Sequence, residues 1–143
     1  MKISKKWISI ILLLSYFGSL FAIGNFIPTG RFTLPEKSII NYEIDNQTRK
    51  ILLSRGYTLV KLKYSYFCDN CFGIKDYLER KAFENKDQML LQEILTNNSY
   101  AIVEIESPNG YEKLEDPSIE KIKEVLCELM LRKPYECLIE ELE

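Results

Sequence analysis

The sequence predicts an α/β fold, a mixed sheet with flanking helices, preceded by an N-terminal transmembrane or signal segment. Three observations lead there. Residues 7–23 carry no charge, are almost wholly apolar and follow three lysines. Residues 57–66 and 100–106 have the β-branched and aromatic content, or the strict alternation, of strands. The segments around them place apolar residues at helical spacing.

The inventory of side chains narrows the chemistry. The chain has 143 residues, four cysteines and no histidine. A Ser-His-Asp triad, a Cys-His protease, an HExxH zinc site and a histidine general base are all excluded. Chemistry near neutral pH must rest on carboxylates, lysines, tyrosines or thiols. Residues 1–30 contain Lys2, Lys5 and Lys6 and no acid, which leaves 16 basic against 21 acidic residues in 31–143, a net of −5. An acidic domain lacks the basic footprint of a nucleic-acid binder, so no nucleic-acid partner is expected.

The elements follow in order. The apolar run of residues 7–23 would span about 26 Å as a helix, close to a bilayer core of about 30 Å once Phe26 and Ile27 are added. Three preceding lysines place its N-terminus in the cytoplasm and the rest of the chain outside. Residues 1–27 therefore read as a signal-anchor. A cleaved signal peptide is the alternative, with small residues at Ala22 and Gly24. The expected location is the cell membrane, single-pass, or outside the cell if the signal is cut. Residues 28–38, with Pro28, Gly30 and Pro35, read as a linker, and residues 39–143 as the folded domain.

Residues 38–44 have strand character, and Asp45 or Asn46 could cap a short helix ended by Gly56. Residues 57–66 form a strand that runs straight into Cys68-Asp69-Asn70-Cys71. Ile74, Tyr77, Leu78 and Ala82 then lie on one stripe of a helix over 73–85. Residues 89–94 fit either a strand or a helix. Residues 100–106 alternate as a strand, turn at Ser107-Pro108-Asn109-Gly110 and return through 111–114. Asp116, with Pro117 behind it, is placed to cap a last helix carrying Ile119, Ile122, Leu126, Leu129 and Met130, which Pro134 would stop.

With strand, CxxC, helix, hairpin and final helix in this order, the chain resembles the thioredoxin-like superfamily over roughly residues 39–130. The phrase KLKYSYFCDNCFGIKDYLE carries most of the resemblance. AIVEIESPNGYEKL is similar to that fold's C-terminal hairpin and SIEKIKEVLCELM to its final helix. The resemblance implies a thiol-disulfide oxidoreductase with Cys68 as the attacking thiol and Cys71 as the resolving one. Its partners would be protein thiols or disulfides, and it would need no cofactor. A strand end that feeds a helix N-terminus suits a thiolate, because unsatisfied N–H groups and the helix dipole lower its pKa.

Three departures qualify the resemblance. No proline stands at Asn97-Asn98-Ser99-Tyr100, where oxidoreductases of the family have a cis-proline. Asp69 follows Cys68 directly and opposes a thiolate there. Lys61 and Lys63 put charge on one face of the CxxC strand, where a doubly covered strand would be apolar. The alternative function is a non-catalytic exported binding domain with two structural disulfides.

An even count of four cysteines in an exported domain favours disulfides. Of three connectivities the sequence favours Cys68–Cys71 with Cys127–Cys137, the second pair being structural. Two unconnected buried thiols, or a zinc site using all four, are the alternatives; the nine-residue spacing within the second pair is wider than zinc ribbons use, and no metal is expected. Tyr64, Tyr66, Phe67 and Phe72 surround the CxxC as either a peptide-binding rim or core. Glu104 and Glu106 read as a solvated face, and the acidic tail from Glu136 as a solvated terminus. Asn46-Gln47-Thr48 and Asn97-Asn98-Ser99 match the glycosylation pattern, and no phosphate-binding glycine loop exists.

Overall fold

The computed structural model describes residues 35–140. The apolar run of residues 7–23, most of the linker and the last three residues lie outside the described residues. Among the described residues no helix is long and apolar enough to cross a membrane.

Five strands and four helices make a mixed α/β unit. In chain order they are β1 (Ile39–Ile40), α1 (Asn46–Ser54), β2 (Thr58–Tyr64), α2 (Cys71–Glu84), β3 (Met89–Leu95), β4 (Ile102–Ser107), β5 (Gly110–Glu115), α3 (Ile119–Leu129) and α4 (Tyr135–Glu140). The sheet order is β1-β3-β2-β4-β5. β1, β3 and β2 run parallel, and β4 and β5 are antiparallel to their neighbours. Helical crossovers between the parallel strands and a tight hairpin at the end produce this mixture.

Residue alternation sorts the two faces. Val60, Leu62, Leu91, Val103 and Ile105 point to one side and form the main core with Ile74, Leu78 and Ala82 of α2 and Ile122, Val125 and Leu126 of α3. Leu59 and Leu90 point to the other side, where Leu52 of α1 covers them. Only that end of the second face has a helix over it, because β3 passes to β4 through residues 96–101 without one. The remainder of the face is an ion ladder. Glu104 sits between Lys63 at 2.6 Å and Lys61 at 3.7 Å, Lys61 also reaches Glu43, and Arg49 holds Glu106 at 2.6 Å. Three cations meet three carboxylates, so this face is neutral without a helix on it. The lysines that interrupt the apolar pattern of β2 are explained by that missing helix. Glu104 and Glu106 are correspondingly partly buried in ion pairs, rather than solvated.

Several boundaries differ from the sequence expectation. β1 is only two residues long, and the Ile44 N–H donates to the Gln92 side chain at 3.0 Å instead of continuing a strand. Residues 89–95 are strand. α2 closes at Asn85, whose carbonyl accepts from the N–H of Gln88 and of Met89, so the chain turns before it can continue as a helix. Asp45 is the cap of α1, accepting from the N–H of Gln47 and Thr48.

The cap of α3 is Ser118 rather than Asp116. Asp116 lies at φ 50°, and its N–H donates to the Ala101 carbonyl, which occupies it in closing the sheet. Ser118 is extended and accepts from the Lys121 N–H at 3.2 Å. Ser118→Ala is expected to cost about 1 kcal/mol, measured by urea unfolding. α3 ends at Leu129, before Pro134, and Ile119 is exposed while Val125 takes its place in the core. Pro134 instead opens α4, its carbonyl accepting from the Cys137 N–H.

Candidate functional site

β2 is the central strand, and its C-terminal end delivers the CxxC. After Tyr64 the chain turns through residues 65–70. The Phe67 N–H donates to the Ser65 hydroxyl and the Cys68 N–H to the Ser65 carbonyl, while the Cys71 N–H donates to the Cys68 carbonyl. Cys71 is the first residue of α2, and Cys68 lies in the turn just ahead of it. The helix begins two residues earlier than the apolar stripe predicts. Asn70 stands at the N-cap without a side-chain cap bond, so the Phe72 and Gly73 N–H groups of α2 are left for other acceptors.

Cys68 and Cys71 are joined in a disulfide with their Cα atoms 5.4 Å apart. Cys71 is 0% exposed and Cys68 4%. Around this bond the four aromatics divide. Tyr64 is core and packs edge-on against Tyr66, while Tyr66, Phe67 and Phe72 are exposed, Phe67 at 92%. Asp69 is exposed and, with Asn70, Gly73, Ile74, Pro117, Ser118 and Ile119, lines a cavity of about 330 Å³ between the starts of α2 and α3.

Residues 96–101 link β3 to β4 and cross the end of β2. The Thr96 N–H donates to the Tyr64 carbonyl at 2.8 Å, and the Asn98 N–H donates to the Thr96 hydroxyl. Hydrogen bonds from Thr96 hold the crossing beside the end of β2.

The second cysteine pair is a disulfide as well. Cys127 on α3 and Cys137 on α4 have Cα atoms 5.6 Å apart, and no described cysteine is free. α4 also bonds to the CxxC helix: the Tyr77 hydroxyl donates to Glu136 at 3.1 Å, and Lys81 pairs with Glu136 at 2.9 Å. Burial, with Glu136 adding to it, pushes the Tyr77 hydroxyl far above its ordinary value. Glu136 is thus an ion-pair partner of α2, not part of a merely solvated tail.

One titratable cluster near the CxxC was not legible in the sequence. Lys75, one turn after Cys71, pairs with Glu79 on its own helix and with Glu93 of β3 at 3.5 Å. Only the Lys75–Glu79 spacing of four residues was a signal. Burial opposes the charge on Lys75, but the Glu79 bond and the Glu93 and Glu79 carboxylates together outweigh it and raise its pKa. Burial raises the pKa of Glu93, Glu79 adds to that, and Lys75 opposes it.

A carboxyl whose pKa is raised by folding favours the fold below its unfolded pKa and loses that contribution as pH rises through the folded value. Glu93→Gln removes this loss. The variant is expected to be more stable than the parent at about pH 8, with the advantage shrinking as pH falls through the carboxylate range near 4. Urea unfolding at the two pH values decides it. A variant less stable at the higher pH contradicts the expectation.

The site thus defines a class, a mixed α/β unit with a CxxC disulfide at a strand–helix junction. No family model matches the chain, and no match is found among curated proteins. Among solved structures, a redox protein from Chlamydomonas reinhardtii matches with a TM-score of 0.53 at 14% identity. The match covers 86% of this chain and 47% of that one, so this chain spans about half the length of its neighbour. The likeness is one of fold. Together with the CxxC disulfide it fits a thioredoxin-like arrangement loosely.

Proposed function

We propose that this chain is a thioredoxin-like, membrane-tethered extracytoplasmic protein that exchanges thiols and disulfides of other proteins through Cys68 and Cys71. The observation that carries the reading is the Cys68–Cys71 disulfide at the junction of the central parallel strand and the N-terminus of α2. A neighbour described as a redox protein supports it.

The chemistry follows from the placement. In the oxidised form a substrate thiolate attacks the Cys68 sulfur, the Cys68–Cys71 bond breaks, and Cys71 leaves as a thiolate that takes up a proton. A second substrate thiolate attacks the mixed disulfide. The substrate disulfide forms, Cys68 leaves, and two electrons have passed to the protein. The uncapped N–H groups of α2 stabilise the leaving thiolates. In reverse, reduced Cys68 attacks a substrate disulfide and Cys71 resolves it. Exposed Tyr66, Phe67 and Phe72 give the site an apolar surround, suited to polypeptide rather than to a small thiol.

Turnover of a peptide disulfide by dithiothreitol tests the reading, with Cys68→Ser as the control. Turnover is expected in the parent and absent in the variant; equal turnover in both overturns it. A second reading, an exported binding domain in which both disulfides are structural, draws on the near-complete burial of Cys68 and Cys71. A reduction potential well below about −270 mV favours that reading, and a value between about −270 and −120 mV favours exchange.

A further inference from the structure

The end of the sheet opposite the disulfide has a different character from the rest of the domain. β2 and β3 are parallel, so the start of β2, the end of α2 and residues 35–38 gather there, about 20 Å from the CxxC along a seven-residue strand. A groove of about 340 Å³ opens at this end, with Pro35, Ile39, Tyr57, Phe83 and Met89 in its wall and Lys37 and Lys86 beside them. Phe83 is 74% exposed. The exposed Leu131 continues the apolar area, since it lies where a Cβ on Gly56 would meet it at 3.0 Å.

Charge at this end runs against the domain. Lys37, Arg55, Lys86, Arg132 and Lys133 are exposed here against Glu36, Glu84 and Asp87, a local net of +2 in a domain that sums to −5. Arg55 and Lys133 have contacts of their own, and Arg132 pairs with Asp87 at 2.8 Å. Glu84, at the end of α2, is taken up by Lys81. Lys37 and Lys86 flank the groove itself, with Glu36 beside Lys37, so its own lining keeps a net of +1.

A basic rim around exposed aromatic and aliphatic side chains is the pattern of a surface that meets acidic lipid: the rings enter the interface and the lysines meet the headgroups. The covalent chain points the same way. Pro35 lines this groove, and residues 24–34 separate it from the uncharged apolar run of residues 7–23. Eleven residues reach at most about 40 Å, which keeps this end within reach of any membrane that holds the run. We propose that this end of the sheet rests on an acidic phospholipid surface through Phe83, Lys37 and Lys86, so that Cys68 and Cys71 face away from the membrane. The inference rests on the tethered reading of residues 1–27 but not on the redox chemistry.

The test places the full chain in nanodiscs of phosphatidylcholine alone or with phosphatidylglycerol, and labels lysines with a water-soluble acylating reagent. Acidic lipid is expected to slow labelling of Lys37 and Lys86 about fivefold. Lys121, exposed at the start of α3 on the CxxC end of the sheet, should label at the same rate in both. High salt should abolish the difference, and Phe83→Ser, which leaves both lysines in place to be labelled, should reduce it. Equal labelling of Lys37 and Lys86 in both lipids overturns the docking while leaving the tether intact. A chain that does not stay with nanodiscs of either kind overturns tether and docking together. Turnover of a peptide disulfide in the same samples reports on the redox reading separately.

Discussion

Replacing Cys71 with serine is expected to leave a protein that attacks a peptide disulfide and then fails to let it go. Cys71 is the one described sulfur positioned to resolve an adduct on Cys68, with the Cα atoms 5.4 Å apart and the other two cysteines tied to each other. Serine cannot displace the peptide thiol, so a mixed disulfide on Cys68 accumulates where the parent turns over. Intact mass should show one peptide per chain, released by dithiothreitol and located at Cys68 by proteolysis. Turnover should fall to the uncatalysed background. No adduct on Cys68, or an adduct spread equally over Cys68, Cys127 and Cys137, would sink the assignment of roles. Serine is close in size to cysteine at this fully buried position, so the fold should survive the change.

Removing the other disulfide has the largest expected effect on stability. Cys127 and Cys137 are ten residues apart, and in the chain-entropy model a loop of that size is worth about 2–3 kcal/mol. α4 has six residues, too few to hold together without its packing, so the bond to α3 and the Glu136 contacts to Tyr77 and Lys81 are what keep it in place. The double variant Cys127→Ser, Cys137→Ser should melt on the order of 10 °C lower. Amide exchange should quicken in α4 first, while turnover through Cys68 at low temperature persists. An unchanged melting temperature would mean that the clamp is already satisfied by the ion pairs alone. Loss of turnover in a chain that is still folded would place the second disulfide in the chemistry.

These two expectations sit on features that were legible to different degrees. The strand–CxxC–helix order could be read directly, since β-branched residues over 57–66 and the stripe from Ile74 to Ala82 leave little room for another arrangement. The hairpin and α3 were equally plain from Asn109-Gly110 and from Ile122, Leu126 and Leu129, whereas α4 was not. Residues 89–94 could not be assigned, because a short apolar run has no period of its own. The turn at Asn85 settles it as strand. Asp followed by Pro is a good helix start in isolation, which is why the sequence points to Asp116 as the cap of α3. The sheet uses the Asp116 N–H first, and the cap falls to Ser118.

By itself the sequence determined the class of fold, the place of Cys68 and Cys71 on it, and an uncharged N-terminal run whose structure lies outside the described residues. Local periodicity and turn chemistry suffice for those. Only the tertiary structure decided what the long-range contacts are for. Lys61 and Lys63 became two of the three cations of an ion ladder because residues 96–101 cross β2 without a helix. Glu93 became a half-buried carboxylate beside Lys75 because parallel pairing sets it next to Leu62, over the main core. Glu136 became an anchor on α2 because α4 folds back. Charge partners separated by tens of residues have no sequence signature, and it is the sheet order that brings them within reach. The four cysteines thereby divide into one bond at a helix start and one that holds α4 to α3.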